Sequence, residues 1–129
     1  LLIASQIKRQ RIELPELLIP VPTSTQRLQQ RGFNQALEIA KVVGKQLSIP
    51  VDYSSVIRGK QRSVQKHLNK QQRSHNVDSA FILTKPITAK HVAIIDDVIT
   101  TGATTKAIAY LLRENGVKTI QSWAVARTL

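Results

Sequence analysis

The stretch Val92-Ala93-Ile94-Ile95-Asp96-Asp97-Val98-Ile99-Thr100-Thr101-Gly102-Ala103-Thr104 decides how this chain folds. Its first four residues form a continuous apolar run, the pattern of a strand buried on both faces of a parallel sheet. Such a strand delivers the carboxylates of Asp96 and Asp97 to its C-terminal end, the edge where open α/β sheets bind ligands. Small residues follow, and a helix is expected from about Ala103 to Asn115. Gly102 permits a tight turn and close approach of the backbone to a ligand. Amides around Thr101 to Thr104 then point outward at the positive end of the helix dipole, and the hydroxyls of Thr100, Thr101 and Thr104 add donors. That set of donors suits a phosphate monoester. Two carboxylates beside a phosphate repel it. They make sense as groups that grip neutral hydroxyls, or magnesium through water. A ribose 5-phosphate presents both a dianion and vicinal hydroxyls. A lone Thr-Thr-Gly would be read as a plain helix cap; the whole ordered run is far more specific.

Working outward, Ala107, Ile108, Leu111 and Leu112 form the apolar stripe of the expected helix, Gly116 ends it, and Ile120 to Ala126 returns as a strand. Strand, helix and strand with a crossover of this length imply a right-handed parallel unit. Upstream, Leu17-Leu18-Ile19 is a short apolar run stopped by Pro20 and Pro22, a buried strand that ends in a restrained loop. Asn34 is a candidate N-cap for a helix from Gln35 to about Leu47, with Ala36, Ala40, Val43 and Leu47 on one face. Val51 to Ile57 and Ala80 to Leu83 are expected as strands. Leu1 to Gln10 reads as the end of a helix that enters the domain.

Composition bounds the function. A chain of 129 residues suits one domain, and 42% hydrophobic residues spread throughout argue for a packed core. The formal charge of +11, from 19 Lys plus Arg against 8 Asp plus Glu, implies an anionic partner: phosphates, nucleic acid or an acidic membrane surface. With no cysteine, disulfides and thiolate zinc sites are excluded. His67, His75 and His91 lack metal-ligand spacing and are expected as surface or loop residues. No apolar run reaches the roughly 20 residues of a membrane-spanning helix. A chain that opens on Leu rather than Met is expected to be a fragment or a processed product.

Val92 to Thr104 resembles the motif by which type I phosphoribosyltransferases bind 5-phosphoribosyl-1-pyrophosphate (PRPP). The resemblance implies an α/β fold: a parallel sheet core flanked by helices, with a small hood and mobile loop at about residues 51–84, all within one domain over 1–129. It implies that Asp96 and Asp97 are the catalytic pair and hold the ribose 2- and 3-hydroxyls. Thr100, Thr101, Gly102, Ala103 and Thr104 would cradle the 5-phosphate. Mg2+ would be held mainly through PRPP itself, with no direct protein ligand.

Ile19-Pro20-Val21-Pro22, Arg31-Gly32-Phe33-Asn34-Gln35-Ala36, the pattern Gln65, Leu68, Arg73, Asn76, and Ala80-Phe81 narrow the resemblance to the ComF/GntX branch, the ComFC-like competence proteins. These segments cover nearly the whole chain in the family's order. Two departures stand out: the N-terminal four-cysteine zinc module common in that branch is absent from this chain, and Arg62 stands where members commonly have Thr. By position, Pro22 to Gly32 corresponds to the pyrophosphate loop, in which the amides of Thr23, Ser24 and Thr25 and the charge of Arg31 would meet a diphosphate.

The basic stretch Arg58 to Arg73, with Arg58, Lys60, Arg62, Lys66, Lys70 and Arg73 and no acid, has two functional readings beside that of a solvated loop. It either closes over PRPP as a mobile loop or tracks a single-stranded DNA backbone. Trp123 is expected in the core or an interface, and Phe33 has the better claim to stack on a base. Three functions remain open. The resemblance implies a PRPP- and single-stranded-DNA-binding factor in DNA uptake and natural transformation, cytoplasmic and peripheral to the inner membrane, working with competence-machinery proteins. An active phosphoribosyltransferase would move phosphoribosyl from PRPP to a nitrogenous base with release of pyrophosphate. A plain nucleic-acid binder would use the phosphate cradle for backbone phosphates.

Overall fold

The computed structural model, which describes residues 13–23, 28–30, 32–59, 80–99 and 102–127, sets the Val92–Ile95 run at the centre of a parallel sheet. Strand β1 (Leu17–Pro20) is followed by helix α1 (Gln35–Leu47), and the strands β2 (Val56–Arg58) and β3 (Phe81–Leu83) form a separate antiparallel pair. Then come β4 (His91–Ile99), helix α2 (Ala103–Glu114) and β5 (Thr119–Arg127). The main sheet has the order β1-β4-β5, with Leu18 opposite Ala93 and Ile95 opposite Trp123. Val51 adds a parallel bridge to Leu18 on the outer side of β1.

Alternation along the strands sorts the core into two layers. Leu18, Ala93, Ile95 and Trp123 pack with Ile39, Ala40, Val43 and Leu47 of α1. Ile19, Val92 and Ile94 pack with Ile108 and Leu112 of α2, and with Val56 and Phe81 of the small hairpin. The helices therefore cover opposite faces. Val92, Ala93, Ile94 and Ile95 are each fully buried, which explains why this run carries no polar alternation. The stripe on α1 is as expected, with all four residues buried; on α2, Ile108 and Leu112 are buried while Ala107 and Leu111 lie at the layer's edge. Asn34 caps α1, its Oδ1 accepting from the Leu37 amide at 3.3 Å. Gly116, at φ 94°, follows the Asn115 cap of α2.

Three sequence expectations need correction. Val51 to Ile57 is not one strand. Asp52 intervenes: its Oδ1 accepts from the amides of Ser54 and Ser55, both at 3.0 Å, and its Oδ2 accepts from the Ser55 hydroxyl. This Asx-type turn breaks the extended chain. Val51 stays with the main sheet, and β2 starts afresh in the hairpin. Secondly, β4 does not end at Asp96 and Asp97 but pairs with β5 as far as Ile99 opposite Arg127. Thirdly, His91 is buried, 7% exposed, because Glu16 draws it into the sheet: the Glu16 amide donates to the His91 carbonyl at 2.8 Å, and the His91 amide donates to the Glu16 Oε1 at 3.2 Å. The expected helix at Leu1 to Gln10, along with His67 and His75, lies outside the described residues.

Candidate functional site

The two crossovers of the main sheet run in opposite directions. From β1 the chain passes through α1 to Val51 on one side; from β4 it passes through α2 to β5 on the other. The boundary between β1 and β4 is thus a topological switch point, where diverging connections leave a crevice outside the carboxyl ends of the strands. The last tie across this boundary is the Val21 amide donating to the Ile95 carbonyl at 2.9 Å. One residue further, β1 has left the sheet while β4 continues, and Asp96 and Asp97 stand at the mouth that opens.

That mouth is an open cleft lined by Val21, Pro22 and Thr23 from the end of β1, by Phe33, Asn34, Gln35 and Ala36 at the head of α1, and by Arg58, Asp96 and Asp97. Both acids are half-buried, and the Asp97 amide donates to Asp96 Oδ1 at 2.8 Å, which fixes one carboxylate against the strand. Asn34 holds the opposite wall. Besides capping α1, its Nδ2 donates to the Val21 carbonyl at 3.2 Å and binds the helix head to the end of β1. Arg58 enters from the hairpin. Its Nε donates to the Pro22 carbonyl at 3.0 Å, and its guanidinium carbon lies 4.9 Å from the centre of the Phe81 ring.

The turn into α2 has the geometry that its residues imply. Gly102 adopts φ 80°, ψ 3° as the N-cap residue of α2 and offers no side chain to cap it, which suits a helix start that meets an anion. Among the described residues, a Cβ on Gly102 would find only Thr105 Oγ1, at 3.9 Å. Thr105 is occupied internally, donating from Oγ1 to the Gly102 carbonyl at 3.0 Å, whereas Thr104 is half-buried and Ala103 exposed.

The structure thus brings Asp96 and Asp97 together with Thr23 and sets Gly102, Ala103 and Thr104 at the next helix start. Thr100, Thr101, Ser24, Thr25, Arg31, Lys60, Arg62, Lys66, Lys70 and Arg73 lie outside the described residues. Arg58, grouped in the sequence with the basic stretch, belongs to the cleft wall. Phe33 is exposed and lines the same cleft, while Trp123 is buried, its Nε1 donating to Gln121 Oε1 at 2.9 Å. The sequence does not reveal the second bond of Asn34 and does not decide the role of Gln35; both flank the Pro-rich end of β1, the one signal that the two segments converge. Among the described residues, no three His, Cys, Asp or Glu side chains gather as a metal site, and no helix is long and apolar enough to cross a membrane.

A switch-point cleft with paired acids, followed by a glycine turn into a helix, is the frame of a phosphoribosyltransferase, and the chain belongs to the phosphoribosyl transferase domain family, whose pattern matches residues 34–128. Within that superfamily it is of the ComF type. It is 40% identical over 119 residues to competence protein F of Haemophilus influenzae, covering 90% of this chain and 52% of that protein. It is 36% identical over 118 residues to the DNA utilization protein YhgH of Salmonella typhimurium, covering 92% of this chain and 52% of that protein. The chain therefore spans about half the length of the curated relatives it matches. The fold is also that of the purine phosphoribosyltransferase from Pyrococcus horikoshii, with a TM-score of 0.51 at 18% identity, over 98% of this chain and 68% of that one.

Proposed function

We propose that this chain binds PRPP at the switch-point cleft and serves, as a ComF-type protein, in the handling of single-stranded DNA during uptake. The observation that carries the first part is the position of Asp96 and Asp97, half-buried where β1 leaves β4 and shortly before the head of α2. In this reading the carboxylates accept hydrogen bonds from the ribose hydroxyls, and the turn through Gly102 to Thr104 receives the 5-phosphate, with Thr100 and Thr101. Thr23, Ser24, Thr25 and Arg31 serve the pyrophosphate. The hard carboxylate oxygens suit Mg2+ through water, and most of the ion's ligands would come from PRPP, since two acids fall short of a protein cage. When bound, the ion would offset the charge of the pyrophosphate.

The second part is supported by the names of the relatives and by the net charge of +11. Lys60, Arg62, Lys66, Lys70 and Arg73 are the residues proposed to meet either the DNA backbone or a bound ligand. The phosphoribosyltransferase fold also supports a transferase reading. There Asp96 and Asp97 would orient the ribose while pyrophosphate departs and a base nitrogen attacks the anomeric carbon. Pyrophosphate release in the presence of a nucleobase panel separates a transferase from a binding protein.

Calorimetry tests the site. Asp96→Asn with Asp97→Asn removes two charged acceptors and should weaken PRPP at least ten-fold, about 1.4 kcal/mol or more. The same change removes repulsion, so inorganic phosphate should bind as well as before or better. Equal PRPP binding by the wild type and the double variant would remove the ribose-gripping role.

A further inference from the structure

Among the described residues, Tyr53 is the most exposed of the large hydrophobic side chains, at 64%. Leaving a ring of this size in water forfeits the burial that aromatic side chains bring to a fold. The backbone around it is nevertheless firmly held. The Asp52 amide donates to the Leu18 carbonyl at 2.9 Å, the Ser54 amide donates to Asp52 Oδ1 at 3.0 Å, and the Thr84 hydroxyl donates to the Ser54 carbonyl at 2.7 Å. The ring is thus presented to solvent from a turn tied both to β1 and to the residue after β3. A tyrosine so placed has only two side-chain torsions to fix, so contact with a flat partner costs it little freedom. It lies apart from the proposed PRPP site. Val51 carries the chain along the outer edge of β1, away from the β4 side on which the cleft opens, and Tyr53 is not among the residues that line the cleft.

The charge around the ring selects an anionic partner. Residues 53–59 and 80–91, which form the turn, the hairpin and the loop after it, include Arg58, Lys85 and Lys90 and no acid. Asp52, beside the ring in sequence, commits its oxygens to Ser54 and Ser55, and the charge of the exposed Lys85 reaches it, which places that ammonium at the same turn. Ile57 and Ile82, opposite each other in the hairpin, are exposed as well, so its outward face is apolar. A flat ring, a cation and an acid-free apolar surface suit an unpaired base and its phosphate, because every base offers a π face to stack. We propose that Tyr53 is a stacking platform for an unpaired base of single-stranded DNA, and that Lys85 meets an adjoining phosphate. The proposal rests on the DNA-handling reading above and gives it a site separate from the PRPP cleft and from the basic stretch Lys60 to Arg73.

The test is fluorescence anisotropy of a labelled oligothymidylate over a series of salt concentrations, with a phosphodiester strand of the same length that lacks bases as its control. The wild type, Tyr53→Ala, Tyr53→Phe and Lys85→Gln are compared. Tyr53→Ala should weaken the thymidylate strand by about 5- to 100-fold, the loss of one stacked base, and leave the salt slope unchanged, since the ring carries no charge. Tyr53→Phe keeps the aromatic face and should bind within about two-fold of the wild type. The base-free strand should bind the wild type and Tyr53→Ala alike, and so should PRPP. Lys85→Gln should lower the slope by about 0.7. Equal thymidylate affinity in the wild type and Tyr53→Ala, or equal losses on both strands, overturns the proposal, and an unchanged slope in Lys85→Gln overturns the part given to that lysine. Self-association that Tyr53→Ala abolishes in sedimentation, with DNA affinity intact, would give the surface to a second copy and overturn the proposal too. If Tyr53→Ala does not fold, Tyr53→Leu, which keeps apolar bulk without an aromatic face, decides alone: thymidylate affinity at the wild-type level overturns the proposal. A wild type that binds neither strand would instead overturn the DNA reading itself.

Discussion

Asp52 and Gly44 show how single residues set the chain's course. Burial pushes the Asp52 carboxyl up, but the Ser55 hydroxyl, the amides of Ser54 and Ser55 and the charge of Lys85 outweigh it and leave its pKa below the ordinary carboxylate value. A depressed carboxylate contributes stability that is full above its unfolded pKa, near 3.8, and is lost as the pH falls through the folded value. Thermal melts should therefore show Asp52→Ala below the wild type at pH 7, with the gap narrowing at pH 3. Gly44 allows α1 to lie against the turn that follows it. A Cβ there would stand 2.7 Å from the Ile49 carbonyl oxygen and 2.9 Å from Val51 Cγ2. Alanine in a helix interior gains about 1 kcal/mol over glycine. Overpacking against backbone costs about 1–3 kcal/mol, so Gly44→Ala should lower the melting temperature rather than raise it. Neither residue announces itself in the sequence. Asp52 sits within a stretch of strand-like composition, and only the geometry reveals that its carboxylate bends the chain. The surface expectation for His91 fails for a related reason: nothing in its neighbours announces that Glu16, 75 residues away, ties its amide into the sheet.

At the scale of the element, the apolar runs are legible and their ends are not. Ile94 and Ile95 declare a buried strand by themselves, but the continuation of β4 through two acids depends on β5 supplying a ladder partner, Ala124 opposite Asp96. The helices are legible at both ends because local chemistry marks them: Asn34 and Gly102 at the starts, Gly116 after the close of α2. The turn between β4 and α2 carries a prediction of its own. Among the described residues, Gly102→Ala meets nothing nearer than 3.9 Å, so its folding cost should be that of a left-handed backbone, about 1–2 kcal/mol. The added methyl group enters the space proposed for the 5-phosphate. Titrations should then show PRPP, ribose 5-phosphate and inorganic phosphate all weakened.

Across the whole molecule, the family and the layering of one sheet between two helices follow from the order of motifs, while the cleft does not. Its walls come from four segments far apart in sequence: the end of β1, the head of α1, Arg58 and the acids of β4. Only the divergence of the two crossovers at the β1–β4 boundary makes them neighbours. The excess of basic residues is likewise a property of the whole chain. Binding of single-stranded DNA should weaken linearly in log affinity against log salt. Replacing Lys60, Lys66 and Lys70 by Ala should reduce the slope by about 2, at roughly 0.7 for each phosphate that a lysine neutralises. An unchanged slope would remove those lysines from the DNA interface.

The central claim is that the switch point binds the ribose and phosphate of one ligand together, and amide chemical shifts followed by NMR as PRPP and Mg2+ are added test it most directly. The account predicts that the largest changes fall on Asp96, Asp97 and Gly102 to Thr105, with Thr23 and Asn34 moving in the same titration, and that inorganic phosphate moves the helix start but leaves the two aspartates nearly still. Shifts confined to other surfaces, or the same pattern from both ligands, would contradict it.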